Sequence, residues 1–331
     1  MTKKLINHPD RVVEDMLAGF LLAHSDVARQ SELDPRAIVR RNLHPDKVGI
    51  VIGGGSGHEP AFIGYLGDGG VDGVAVGNIF ASPSPYPVLA AIKETDQGQG
   101  VLLIYGNYSG DCMNFSMAVE LAEMEGHQLR EIVVHDDVAS APRGHEEERR
   151  GIAGEILIYK VAGVKAKQGA TLDEVYQTTE KANQWIRSVG VGLHPGSLPQ
   201  TGKPNFELAD DEMELGMGVH GEPGIQRTKM VSAREVARQL VTMICDDFDY
   251  SGAEVAVMLN GLGATSLLEL YIVYADVVKE LQKRRVRVYK SFLGEYITSQ
   301  EMAGCSLTVL KLDDELKHLI DVHSDMACAH F

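Results

Sequence analysis

KVGIVIGGGSGHEP, residues 47–60, runs from an apolar segment into three glycines, a serine, a fourth glycine and a histidine. A short run rich in β-branched residues and without polar alternation predicts a buried strand over 47–52. Glycines after a strand allow backbone N–H groups to point at a ligand oxygen. The stretch lacks the lysine of a GxxxxGK[ST] phosphate loop, and its glycines do not have GxGxxG spacing. For the glycines alone, a tight turn between strand and helix is an equal explanation. His58 shifts the balance toward a site, because turn chemistry does not select histidine.

Working outward, strands and helices alternate on both sides of this stretch. Residues 71–77, 100–106 and 129–134 read as further strands. Residues 10–24 and 114–126 read as amphipathic helices, the first capped by Asp10 and the second closed by Gly126. Residues 150–169 and 171–190 read as two more helices, with Thr171 and Glu174 at capping-box spacing. GLHPGSLPQTGKP (192–204) has the proline and glycine content of a linker. Beyond it the pattern predicts helices over 232–248 and 266–285 and strands over 254–260, 286–290 and 306–312. The alternation predicts layered α/β architecture in two domains, 1–191 and 192–331. The first holds the GGGSGHEP and NYSGD loops, and the second holds HGEPG.

Composition narrows the class. The chain has 331 residues, more than one typical domain, and 44% of them are hydrophobic. A net charge of −16 argues against nucleic acid or an acidic membrane as partner. Cys112, Cys245, Cys305 and Cys328 show no CxxC spacing, so neither a disulfide framework nor a zinc module is expected. The first ten residues lack the apolar core of a signal peptide, and no apolar run spans a bilayer. The expectation is a soluble, cytoplasmic protein.

Three further stretches carry chemistry. GMGVHGEPG (216–224) surrounds His220 with four glycines and echoes GGGSGHEP. A neutral imidazole is a nucleophile near pH 7, and bare backbone leaves room for a small electrophile. Glu222 can orient the ring or cap the next segment. NYSGDCMNF (107–115) places Asp111 where a strand gives way to a helix. Alone it reads as an N-cap. As a site residue it is a carboxylate at a strand's carboxyl end, where α/β sheets bind ligands, able to take a proton from a hydroxyl. NGLGATS (260–266) reads as a structural turn with Thr265 as a cap. The tail HSDMACAH (323–330) has the residue types of a metal site but reads as a loose terminus.

These stretches together resemble the dihydroxyacetone-binding subunit family of bacterial dihydroxyacetone kinases. VIGGGSGHEP, GNIFASPSP, NYSGDCMNF, RRGIAGEIL, GKPNFELADDEMELGMGVHGEPG, LNGLGATSLLELY and TSQEMAG occur in the family's order across nearly the whole chain. The resemblance implies two layered α/β domains with the substrate site between them, usually in a homodimer. It implies that His220 attacks the ketone carbon of dihydroxyacetone and holds it as a hemiaminal. It implies that His58 and Asp111 bind the hydroxyls and assist deprotonation of the one that receives phosphate. Gly55, Ser56 and Gly57 would line the pocket. No cofactor or metal is expected on this chain. The chain has no nucleotide motif and ends where the family's ketone-binding unit ends. The resemblance therefore implies a separate helical subunit carrying magnesium with ADP or ATP, recharged in the phosphotransferase-system version by a phosphohistidine-relaying subunit.

Two departures from the family bear on substrate. The best-known members carry lysine directly before NYxGD, and here the position is Gly106. The segment SAPRGHEEERRG also differs and is more acidic. The missing lysine leaves room for a larger ketose such as erythrulose. A paralogue that binds the ketone covalently and signals to a transcription regulator is the non-catalytic alternative.

Overall fold

The computed structural model describes residues 3–328. Its contacts divide the chain into two compact units, neither of them continuous in sequence. The N-terminal unit comprises Lys3–Val134, Leu157–Lys181 and residues 318–328, and the C-terminal unit His135–Ile156 and Ala182–Lys317.

The N-terminal unit begins with α1 (Val12–Ala23), β1 (Ala28–Gln30), β2 (Ala37–Arg40), β3 (Gly49–Ser56) and β4 (Gly67–Asp68). It continues with β5 (Gly73–Ile79), α2 (Pro85–Thr95), β6 (Val101–Gly106), α3 (Ser109–Met124) and β7 (Leu129–Val134). The chain changes unit inside α4 (Glu155–Lys167) and returns inside α5 (Leu172–Trp185). The C-terminal unit then builds β8 (Ile186–His194), β9 (Glu212–Leu215), β10 (Gln226–Lys229), α6 (Ala233–Asp247) and β11 (Glu254–Gly261). It is completed by α7 (Leu267–Lys283), β12 (Arg287–Gly294) and β13 (Ala303–Leu312). α8 (Asp314–Asp321) leads back to β14 (Asp325–Met326), which pairs with β4.

Each unit has a six-stranded sheet. In the N-terminal unit the order is β1-β2-β5-β3-β6-β7, with β5, β3, β6 and β7 parallel and the β1–β2 edge antiparallel. β3 and β6 are buried along their whole length, which is why, apart from Ser56, their sequences are apolar or glycine runs. α2 and α3 cover one face, giving a core of Val51, Val88, Ile92, Leu103, Tyr105, Phe115 and their neighbours. In the C-terminal unit the order is β10-β9-β8-β13-β11-β12, and only β11–β12 is a parallel pair. α6 and α7 pack their apolar stripes, including Leu240, Ile244, Val277 and Leu281, onto Val257, Leu259, Leu307 and Val309.

The layered α/β architecture is as expected, and two local readings change. The helix expected over 171–190 stops at Trp185, and Ile186–His194 is a strand between β13 and β9. The division expected after residue 191 falls inside that strand. GGGS is also not a turn. β3 continues through Ser56, because bare positions let other groups approach: a Cβ on Gly54 would enter the Phe62 ring, and one on Gly55 would lie 2.7 Å from the Ala81 nitrogen.

Candidate functional site

β3 lies between β5 and β6 and is parallel to both, although the chain visits β5 before β6. The crossover direction therefore reverses at β3. In open α/β sheets such a reversal opens a crevice beyond the carboxyl ends of the strands. Gly55 and Ser56 end β3, Gly57 and His58 follow it, and Gly106 ends β6. Asp111 is in the first turn of α3, whose N-cap is Tyr108, so it is not the cap itself. A 16-residue helix aims its positive end there and favours the ionised carboxylate. The N-terminal unit thus brings Gly55, Ser56, Gly57, His58, Gly106 and Asp111 to one end of one sheet.

The loop is built tightly. His58 is only 2% exposed, its ring 5.0 Å from that of Phe80 and set edge-on to Phe62 at 6.3 Å. Ser56 Oγ donates to the Gly77 carbonyl at 2.8 Å, so its hydroxyl braces the loop. The Gly57 N–H donates to both Glu59 carboxylate oxygens at 3.1 Å. Burial pushes the Glu59 carboxyl above its usual range, opposed by the backbone N–H groups of Glu59 and Gly57.

His220 belongs to the C-terminal unit, in the loop joining β9 to β10. The loop is fastened at both ends: the Gly216 N–H donates to Gly190 O at 2.7 Å, and the Ile225 N–H to Leu215 O at 2.8 Å. Glu222 resolves the choice left open by its position. Its Oε1 lies 2.8 Å from His220 Nδ1, and its Oε2 accepts the His220 backbone N–H at 2.9 Å. Burial raises the Glu222 carboxyl, but the hydrogen bond and charge of His220, its own backbone N–H and nearby Arg150 hold it down to about 2. An ionised carboxylate only accepts, so Nδ1 carries a proton, and in the neutral form of the ring the lone pair is on Nε2. The His220 side chain is 25% exposed, neither walled off nor fully in solvent.

Sequence reading missed one contact here and misassigned another. Asn205 Nδ2 donates to His220 O at 3.1 Å; it lies in the quoted GKPNFEL stretch, without a role assigned there. Thr265 is not a cap: its Oγ1 accepts the Gly304 N–H at 2.7 Å, while Ser266 forms a capping box with Glu269. The expected capping box of Thr171 and Glu174 is formed. In the tail, Cys328 Sγ lies 3.7 Å from His24 Nε2, and His330 lies outside the described residues. Among the described residues, no helix is long and apolar enough to cross a membrane.

Comparison with known proteins identifies the chain's relatives. Residues 18–328 match the Dak1 domain. The chain is 45% identical over 314 residues to the PTS-dependent dihydroxyacetone kinase 1, dihydroxyacetone-binding subunit DhaK, of Listeria innocua, with 95% of each chain covered. It is 44% identical to the D-erythrulose kinase of Mycolicibacterium smegmatis over 95% of its own length and 54% of that protein's. Among solved structures, the dihydroxyacetone kinase operon co-activator Dha-DhaQ superposes with a TM-score of 0.89 at 32% identity, covering 95% of this chain and 97% of the other. By motif, fold and full-length similarity, the chain belongs to the Dak1 family, that of the dihydroxyacetone-binding subunits of dihydroxyacetone kinases.

Proposed function

We propose that this chain is the ketone-binding subunit of a dihydroxyacetone kinase, a phosphotransferase with an alcohol as acceptor, and that His220 holds the ketone as a hemiaminal. The observation that carries the reading is the His220–Glu222 pair, with Nδ1 at 2.8 Å from an ionised carboxylate. The Nε2 lone pair forms a bond to the carbonyl carbon, and the carbonyl π pair moves to oxygen, which takes up a proton. Positive charge left on the ring is stabilised through Nδ1–H by Glu222, and loss of that proton gives the neutral adduct. A carbonyl is what dihydroxyacetone has and glycerol lacks, so the bond discriminates between them beyond what hydroxyl contacts provide. His58 and Asp111 bind the hydroxyls of the same ketone, and Asp111 accepts the proton from the hydroxyl that attacks phosphorus.

Phosphoryl transfer depends on positioning and charge stabilisation, and the covalent bond provides the first of these. The phosphoryl group comes from a separate helical subunit carrying magnesium with ADP or ATP. A phosphohistidine-relaying subunit recharges that nucleotide in a phosphotransferase-dependent system, consistent with the name of the Listeria relative. The ketone-binding chain acts as a homodimer.

Three features favour narrower alternatives. Gly106 at the end of β6 and the likeness to a D-erythrulose kinase favour a four-carbon ketose. The likeness to a co-activator favours a ketone sensor without turnover. One experiment separates all three. The chain is mixed with a nucleotide-loaded helical subunit and offered dihydroxyacetone or erythrulose, and adduct and phosphorylated product are both measured. Adduct with phosphate transfer supports the kinase, and the faster ketose is the substrate. Adduct without transfer to either supports the sensor, and no adduct with either ketose refutes the reading.

A further inference from the structure

The RRG stretch at 149–151 takes no part in the chemistry proposed above, yet its second arginine reaches the His220 loop. Arg150 Nε and Nη2 both donate to Asp137 Oδ2, at 3.0 and 2.7 Å. Nη2 also donates to the Gly216 carbonyl at 3.1 Å, the first residue of GMGVHGEPG. Nη1 stands 3.9 Å from Glu222 Oε2, the oxygen that accepts the His220 N–H. Behind the guanidinium the backbone is fixed in turn: the Asp137 N–H donates to Arg150 O at 3.1 Å, and the Arg150 N–H to Ser140 Oγ at 2.9 Å. Asp137 is 1% exposed and also accepts the Ala139 N–H at 3.0 Å, so the anchor cannot swing into solvent.

Gly218 is part of the same arrangement. A Cβ there would collide with Glu222 Oε2 and Arg150 Nη1. The bare position keeps open the space in which cation and carboxylate meet.

We infer that Arg150 is a positioning residue for His220: it clamps the start of the loop through Gly216 O and fixes the Glu222 carboxylate, so that one oxygen faces the ring and the other the backbone. This rests on His220 being the nucleophile. Arg150 acts through Gly216 and Glu222 and does not touch the ketone. Its charge is delivered by a planar fork already occupied on one side by Asp137, an arrangement that lysine's point charge cannot reproduce.

The test is the ketone concentration that half-saturates the adduct, read by intact-protein mass spectrometry, together with the ring tautomer of His220 by 15N NMR. Arg150→Met raises half-saturation about ten- to hundredfold, the factor for losing a charged hydrogen-bonding partner, and reduces the Nδ1–H tautomer. Arg150→Lys recovers part of the loss. In a Glu222→Gln background the same Arg150→Met change has a smaller effect, that of the lost Gly216 clamp alone, because residues acting as one unit are not additive. Equal losses in both backgrounds overturn the inference, as does normal saturation in Arg150→Met. Where Arg150→Met alone does not fold, because Asp137 is left buried without a cation, two further variants decide. Asp137→Asn/Arg150→Met removes both charges, and Gly218→Ala disturbs the Arg150–Glu222 contact with the anchor intact. Both must show the loss, and normal saturation in either overturns the inference. An adduct that survives in His220→Ala refutes the nucleophile assignment itself, which is a separate result.

Discussion

Asp247→Asn offers a stability test of the frame that carries Arg150. Asp247, at the end of α6, accepts from Arg149 Nη1 and Nη2 at 3.0 and 2.6 Å and from Arg187 Nε at 2.6 Å. The side chains are 0% exposed for Arg149, 9% for Asp247 and 10% for Arg187. Asparagine keeps the shape, removes the charge and turns an NH2 group toward a guanidinium that can only donate. Breaking a buried pair while leaving its partner charged costs about 3–5 kcal/mol. At about 2–4 °C per kcal/mol for a large domain, the melting temperature falls by roughly 6–20 °C. Calorimetry and urea unfolding at neutral pH measure this. The sign with pH follows from the titration. Burial raises the Asp247 carboxyl, but hydrogen bonds and charge from Arg149 and Arg187 outweigh it and hold the group below its usual range. The stability it contributes is therefore fully present above the unfolded carboxyl value, about 3.9. It is lost as pH falls through the lower folded value. Wild type and variant converge in acid. A neutral-pH difference under about 1 kcal/mol, the size of an exposed pair, would refute the reasoning, as would a gap unchanged in acid.

The other predictions address the site and one helix. His220→Ala forms no adduct at any dihydroxyacetone concentration by intact-protein mass spectrometry. Asp111→Asn still forms the adduct, but phosphate transfer in the reconstituted system drops by about 10²–10⁴, the range for a lost general base; normal turnover would leave that carboxylate a structural role only. Gly106→Lys lowers kcat/KM for erythrulose more than for dihydroxyacetone, measured as the ratio of the two. Ser266→Ala removes the α7 capping box and costs about 1 kcal/mol in urea unfolding, with adduct formation unchanged.

Part of this was legible because strands buried on both faces leave short unbroken apolar runs. VLLIYG and EVAVMLN read as strands, and they are β6 and β11. The residues proposed to act on the ketone were legible as histidines and a carboxylate set in glycine-rich stretches. The glycines themselves left a turn and a ligand-binding loop equally open. In GGGS they signal close packing of Phe62 and the segment at Ala81, which composition cannot distinguish from a turn. β8 was hidden because it follows Trp185 with no breaking residue, and its isoleucine, valines and glycines continue the apolar spacing of α5. β9 and β10 escaped notice because each has four residues, and QRTK is wholly polar. Arg150 was quoted in a motif without a role, since its partners Asp137, Gly216 and Glu222 meet only after folding.

The placement of residues 318–328 with the N-terminal unit sets the order in which a growing chain can finish its parts. Lys160 is fully buried and donates to Val322 O at 2.6 Å and to Ser324 Oγ at 3.1 Å. Ser324 Oγ in turn donates to Gly69 O at 3.1 Å, closing a span of 255 residues. During synthesis most of the N-terminal unit leaves the ribosome early but waits for those distant residues before Lys160 meets Val322 and Ser324 and β4 pairs with β14. Closure over such a span is slow. Over that interval the nascent chain carries the Lys160 ammonium without its Val322 and Ser324 acceptors.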